Sequence, residues 1–205
     1  MQGFIIKISR YKDEDLIVTI LTSEKLKTVY RFYGARHSVI NLGYKIDFES
    51  EKSIKSNIPR LKEVIHLGYK WMLEHKYLRY WQQFCALFFQ HLNDTHELDS
   101  FYFNLLNNSA TIWDKQNPKR VAIESYVKLL EHEGRLHVEH YCMLCEEKID
   151  EDISLIRAFL PTHYNCSHTL SINKKALNEL YKNHSTIFLT DKEIDRMWII
   201  LLEGL

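Results

Sequence analysis

Apolar and polar positions along this chain follow two periods, and the change comes near residue 69. Residues 4–8 (FIIKI), 16–21 (LIVTIL) and 27–32 (KTVYRF) are rich in β-branched and aromatic side chains, and polar runs at 9–15 and 23–25 separate them. Short runs of this kind, bounded by turn residues, predict strands. Two more strands fit 45–51 and the stretch near 61–67. Five short strands in so short a segment predict a small antiparallel barrel over 1–68, because closure removes exposed edges. An OB-like barrel has this size; an SH3-like barrel would show much the same pattern.

From 69 onward the spacing becomes helical. Tyr69, Met72, Leu73, Tyr77, Tyr80, Trp81, Phe84, Leu87, Phe88 and Leu92 recur at three- and four-residue intervals, which predicts a long amphipathic helix. This aromatic stripe reads as core packing; base stacking would need the rings exposed. Asp94-Thr95 ends it, and a second helix fits 98–113. Pro118 opens a third and Gly134 closes it. Two more fit 173–183 and 190–202, the last with Thr190 and Glu193 as a capping-box pair. The expected architecture is therefore α+β: a barrel over 1–68, then a helical domain over 69–205. No internal repeat, low-complexity tract or long linker interrupts it.

Charge changes this picture little but gives it a direction. Residues 1–70 hold 13 Lys and Arg against 8 Asp and Glu, a net +5, and the remaining 135 hold 14 against 19, a net −5. A polyanion would dock on the front half. The start, MQGFIIKISRYKDED, has a short apolar run followed at once by charges, which suits a strand and not a secretory signal. No apolar run is long enough to span a bilayer. The expectation is a cytoplasmic protein, whose cysteines then ligate metal more readily than they form disulfides.

Candidate chemistry concentrates in 142–168, CMLCEEKIDEDISLIRAFLPTHYNCSH. Cys142 and Cys145 form a C-x2-C pair, and His163 and Cys166 repeat the gap after seventeen residues. C-x2-C-x17-H-x2-C lies within the range of zinc ribbons, where two intervening residues let both ligands of a pair turn toward one ion. His168 competes for the fourth position through Cys166-Ser167-His168. The expected element spans about 140–168 and holds one structural Zn2+; free buried thiols are the bland alternative.

Enzymatic readings fit less well. His137-Val138-Glu139 ahead of C-x2-C suggests a zinc deaminase, but only two residues intervene and no proline precedes Cys142. A thioredoxin-like pair would need a βαβ setting. There is no P-loop, G-x-G-x-x-G, G-x-S-x-G or H-E-x-x-H. The chain reads as a binding protein, not an enzyme.

The opening, Gly3-Phe4-Ile5-Ile6 followed by Tyr11-Lys12-Asp13-Glu14-Asp15 and a hydrophobic strand ending in Thr22, resembles the first hairpin of the RecO family of bacterial recombination mediators. Gly34-Ala35-Arg36 is similar to that family's G-A-R stretch, and the cysteine pair after a third helix matches the position of its zinc element. This chain departs from the family in its second metal pair, commonly Cys-x2-Cys, and it is shorter and less basic. Some members lack the cysteines, which implies that the metal supports the fold.

The resemblance implies binding of single- and double-stranded DNA, annealing of complementary strands, and docking on the tail of single-strand-binding protein. It also implies cooperation with RecR to load RecA, with no membrane, in the bacterial cytoplasm and at the nucleoid during repair. Lys25, Lys27, Arg31, Tyr33, Arg36 and Lys45 surround the second hairpin and are the expected DNA contacts, with Arg31, Tyr33 and Arg36 interleaving cation and ring. Two other readings compete: a zinc-stabilised adaptor that binds only protein, and a metal-dependent hydrolase acting on nucleic acid.

Overall fold

The strand pattern of the first segment yields β1 (Gln2–Tyr11), β2 (Asp15–Thr22), β3 (Leu26–Arg31), β4 (Lys45–Glu51) and β5 (Arg60–His66). A computed structural model describes residues 1–53, 56–95 and 98–205. In it the five strands close into a barrel of order β1-β2-β3-β5-β4. Every pairing is antiparallel except β3 with β5, which meet in parallel at Tyr30 and Arg60. This is an OB-like barrel. Ile5, Val18, Ile20, Val29, Ile46, Phe48 and Leu61 fill it.

β1 is apolar on both faces for a reason. Ile5 points into the barrel, whereas the ring of Phe4 meets Trp81 at 5.9 Å and Phe103 at 5.6 Å on the helices outside. A bulge between Ile5 and Lys7 shifts the register at this point, so Phe4, Ile5 and Ile6 are all buried in succession. Those helices are α1 (His75–Leu92) and α2 (Phe101–Ile112). The helix expected from 69 begins later: a short 3-10 turn covers Lys70–Leu73, and Glu74 is extended. Leu73 consequently leaves the stripe and is 92 % exposed.

Of the rest of the stripe, Met72, Trp81, Phe84, Leu87, Phe88 and Leu92 are buried, and Tyr69, Tyr77 and Tyr80 are half-buried. Trp71, Trp81 and Trp113 pack together, and each indole N–H is satisfied by a backbone carbonyl, of Ala110, Gly43 and Tyr77 respectively. Gly43 has φ +81, and a Cβ there would lie 2.7 Å from the Trp81 ring. Both the backbone conformation and the approach of the indole require glycine.

The last barrel strand ends at His66 and the first long helix begins at His75. The chain divides into compact units further on, as Met1–Asp114 and Lys115–Leu205, because α1 and α2 bury their aromatic faces with the barrel.

The second unit contains α3 (Pro118–His132), β6 (Ile153–Ile156), β7 (Leu160–Thr162), α4 (Tyr164–Ser167), β8 (Ser171–Ile172), α5 (Lys174–Asn183) and α6 (Asp191–Leu202). Pro118 occupies the first turn of α3, and beyond its end Gly134 has φ 65 while Arg135 N donates to Leu130 O. Val121, Tyr126 and Leu130 of α3 are buried, as are Ile194, Met197 and Leu201 of α6, which packs on it. The Thr190–Glu193 capping box forms, and the other Glu193 oxygen accepts from Asn173 N at 2.7 Å, tying the starts of α5 and α6 together. A three-stranded sheet, β7-β6-β8, separates α3 from α5 in sequence. Its strands are two to four residues long, too short for period alone to reveal. Among the described residues no helix is long and apolar enough to cross a membrane.

Candidate metal centre and nucleic-acid interface

Cys142 and Cys145 stand on a tight turn between the bridge partners Tyr141 and Lys148. Cys142 N donates to Glu147 O at 2.8 Å, Glu146 N returns to Cys142 O at 2.8 Å, and Met143 N reaches Pro161 O on β7 at 2.9 Å. Glu146 closes the turn with φ 64, a left-handed position that usually favours glycine. From the other side, His163 caps α4, and Cys166 lies within that helix. The ligand atoms of Cys142, Cys145, His163 and Cys166 all lie within 4.8 Å of one another. His168, the competitor, is exposed at the left-handed C-cap of α4 and outside this group.

The set fits a tetrahedral ion. Zinc bonds of about 2.3 Å to sulfur and about 2.0 Å to nitrogen place neighbouring ligand atoms roughly 3.5–3.8 Å apart. His163 Nδ1 lies 3.3 Å from Cys145 Sγ and 3.9 Å from Cys166 Sγ. Its Nε2 lies 3.1 Å from the Lys148 carbonyl. A proton held on Nε2 by that carbonyl leaves the Nδ1 lone pair facing the thiols, the arrangement a metal-binding histidine needs. Electrostatics agree. Burial opposes the Cys142 thiolate, but N–H groups of His163, Leu144 and Cys145 overcome it and bring the thiol down to about 6. Burial and the neighbouring Cys145 and Cys142 sulfurs push Cys166 up to about 11. Three sulfurs so close resist common ionisation unless a cation sits among them. Cys85 is buried in α1 and takes no part.

The six expected DNA contacts do not form one cluster. Lys25 is exposed in the β2–β3 turn, and Lys27 lays its chain along Met1 and the Phe48 ring. Tyr33 and Arg36 lie beyond the other end of β3, about 17 Å away along a strand of this length. Arg31 folds back to donate to Leu61 O at 2.9 Å. Lys45 donates to Asn107 on α2 at 2.8 Å, and desolvation there lowers its pKa. Arg36 pairs with Glu14 while lying 5.2 Å over the Tyr33 ring.

At the Tyr33 end the barrel presents a set of rings and cations that the hairpin reading passed over. Tyr11 and Tyr30 meet edge-on at 5.9 Å, and Tyr30 and Phe32 at 4.8 Å. Lys12 sits 5.5 Å from the Tyr11 ring and Arg60 5.0 Å from Phe32. Tyr11 and Phe32 remain 45 % and 47 % exposed. Together with Tyr30, Ile58 and Arg60 they line a cleft of about 380 Å³. Asp15 braces this end: one carboxylate oxygen takes the Tyr30 hydroxyl, the other accepts from Tyr33 N at 2.8 Å. The Tyr30 hydrogen bond, followed by that of Tyr33, holds the Asp15 carboxyl below its ordinary range, and Tyr30 is pushed up to about 12. Tyr11 and Arg60 are 49 residues apart in sequence. The one local signal was Tyr30-Arg31-Phe32-Tyr33, whose alternation puts Tyr30 and Phe32 on one face.

The family model described as RecO N terminal matches residues 1–72, the barrel and the turn that follows it. Over these residues, about a third of the chain, it is similar to the N-terminal part of RecO proteins. Among curated proteins nothing matches it. The cleft described above therefore belongs to the part of the chain that the RecO model covers, and the cysteine centre lies outside it.

Proposed function

We propose that this protein is a recombination mediator that binds DNA strands at the ring-and-cation end of its barrel, anneals them, and with RecR helps load RecA onto single strands coated by single-strand-binding protein. The observation that carries this reading is the Tyr11–Tyr30–Phe32 ladder, exposed at Tyr11 and Phe32 and flanked by Lys12 and Arg60, on a barrel that the RecO N-terminal model matches. Exposed rings offer stacking surfaces to unpaired bases, and cations beside them neutralise the phosphates. Arg36, Tyr33, Lys25 and Lys27 would extend the phosphate track, whereas Lys45 and Arg31 serve the barrel. Annealing would then be physical: neutralised strands held side by side pair without covalent chemistry.

The cysteine centre would hold one Zn2+ through Cys142, Cys145, His163 and Cys166. Four protein ligands close the tetrahedron and leave no position for substrate, so the ion would fasten the turn at 142–145 to α4. This favours a binding role over hydrolysis.

The test is a titration of the full chain with single-stranded DNA at several salt concentrations, comparing the parent with Phe32→Ala and Arg60→Glu. Loss of one stacked base is worth about 1–3 kcal/mol, so Phe32→Ala should weaken binding roughly tenfold or more. Arg60→Glu should also flatten the salt dependence. Affinity indifferent to both substitutions and to salt would sink this reading and favour an adaptor that binds only protein.

A further inference from the structure

The cysteine turn exposes side chains that a purely internal clamp would not need on its outer surface. Met143 and Leu144 are 46 % and 56 % exposed, and Tyr141 and Tyr164 beside them are 53 % and 57 % exposed. The turn is held rigid from beneath by Cys142 N, Met143 N and Glu146 N, so these side chains are displayed on a fixed backbone. Next to His163, a groove of about 820 Å³ is lined by Asp150, Glu151 and Asp152, by Tyr164, and by Lys148, which pairs with Asp150 at 3.3 Å. Between 139 and 168 the chain carries six acids, Glu139, Glu146, Glu147, Asp150, Glu151 and Asp152, against Lys148 and Arg157. All six acids are exposed.

An apolar centre with a charged rim has the anatomy of a protein-docking patch. Its sign chooses the partner. A phosphate backbone would be repelled, whereas lysines and arginines would be drawn in and oriented. We infer that this face of the cysteine turn docks a basic protein segment whose apolar side chains cover Met143 and Leu144. The two faces of the protein would then select opposite ligands: polyanion at the barrel end, polycation at the cysteine turn. The inference rests on the turn keeping its closed form, with or without an ion, and is independent of whether the barrel binds DNA.

The probe is a short, fluorescently labelled amphipathic peptide of Leu and Lys, with an equal-length peptide of Leu and Glu as its counterpart. Each is titrated with the zinc-loaded full chain and followed by anisotropy, with zinc content measured on the same sample. The Leu/Lys peptide should bind and the Leu/Glu peptide should not. Met143→Ser with Leu144→Ser should weaken binding at least about tenfold, the scale of a lost apolar anchor. Glu147→Lys with Glu151→Lys should weaken it further. All four positions are exposed, and an unchanged thermal transition checks that the variants fold.

A zinc-loaded chain that ignores the Leu/Lys peptide overturns the inference. So does equal binding by the Met143/Leu144 variant, which would reduce the effect to bulk charge. Displacement of the peptide by a single-stranded oligothymidylate would assign the face to nucleic acid instead. A zinc-free chain that still takes up the peptide in the Met143/Leu144-dependent manner would remove the metal reading and leave the docking face standing.

Discussion

Different forces hold the barrel and the cysteine turn in shape. In the barrel every strand has two neighbours, and a continuous apolar core fills the interior. Along 139–152, by contrast, Cys142 and Ile149 are the buried residues. Hydrophobic burial can therefore supply the barrel with its stability, whereas the cysteine turn has little apolar area to bury. What it has instead is a ligand set whose strength an ion would release all at once. A region that can be ordered by one ion can show most of its side chains to solvent, whereas a region ordered by burial must keep a large share of them inside.

The sharpest way to break this contrast is to remove the metal. Chelation, or Cys166→Ser, should unfold the segment around 140–168 while leaving the barrel's transition in place. Zinc in small domains is worth about 10–16 kcal/mol at neutral pH, far more than any single apolar contact. Amide exchange resolved by residue should show protection lost at Cys142, Met143 and Ile149 and retained at Ile5, Val18 and Ile20. Loss of protection in both regions together would contradict the division drawn here.

The reverse blow falls on Gly43→Ala. A Cβ would meet the Trp81 indole, and φ +81 is unfavourable for alanine. Overpacking and the left-handed backbone together should cost about 2–4 kcal/mol. Denaturant melts should show this in the first unit, with zinc affinity unchanged.

A smaller effect tests the electrostatics of the centre. Cys166, raised to about 11 by burial and by its sulfur neighbours, is protonated at neutral pH before an ion arrives. Binding must displace that proton, so affinity rises with pH up to that value and falls as pH drops. Competition with a chromophoric chelator should show apparent zinc affinity rising about tenfold per pH unit, or more steeply, between weakly acidic and weakly alkaline pH. A flat profile would mean that Cys166 is not a ligand.

Much of this molecule was legible in the residues themselves. β4 lies where alternation placed it, and the ends of α3 and α6 follow from Pro118, Gly134 and the Thr190–Glu193 pair, because these signals act within a few residues. The four candidate ligands could be picked out because each pair sits on a local turn of two intervening residues, although only the backbone groups His163 rather than His168 with the cysteines. The expected DNA contacts are not brought to one surface. Lys25, Lys27, Arg31, Tyr33, Arg36 and Lys45 are neighbours in sequence, but β3 carries them to opposite ends of the barrel, and packing turns Arg31 and Lys45 to structural partners.

By itself, then, the sequence determined the longer elements, the caps of α3 and α6 and the spacing of the candidate ligands, since these depend on φ and ψ preferences and on hydrogen bonds between near neighbours. Only the tertiary structure decided which side chains share a surface. Barrel closure brings Tyr11 and Arg60 to one cleft, and the β6–β7 pairing sets Tyr164 beside the acids of the cysteine turn. Those meetings come from strand pairing between distant segments, and no local period records them.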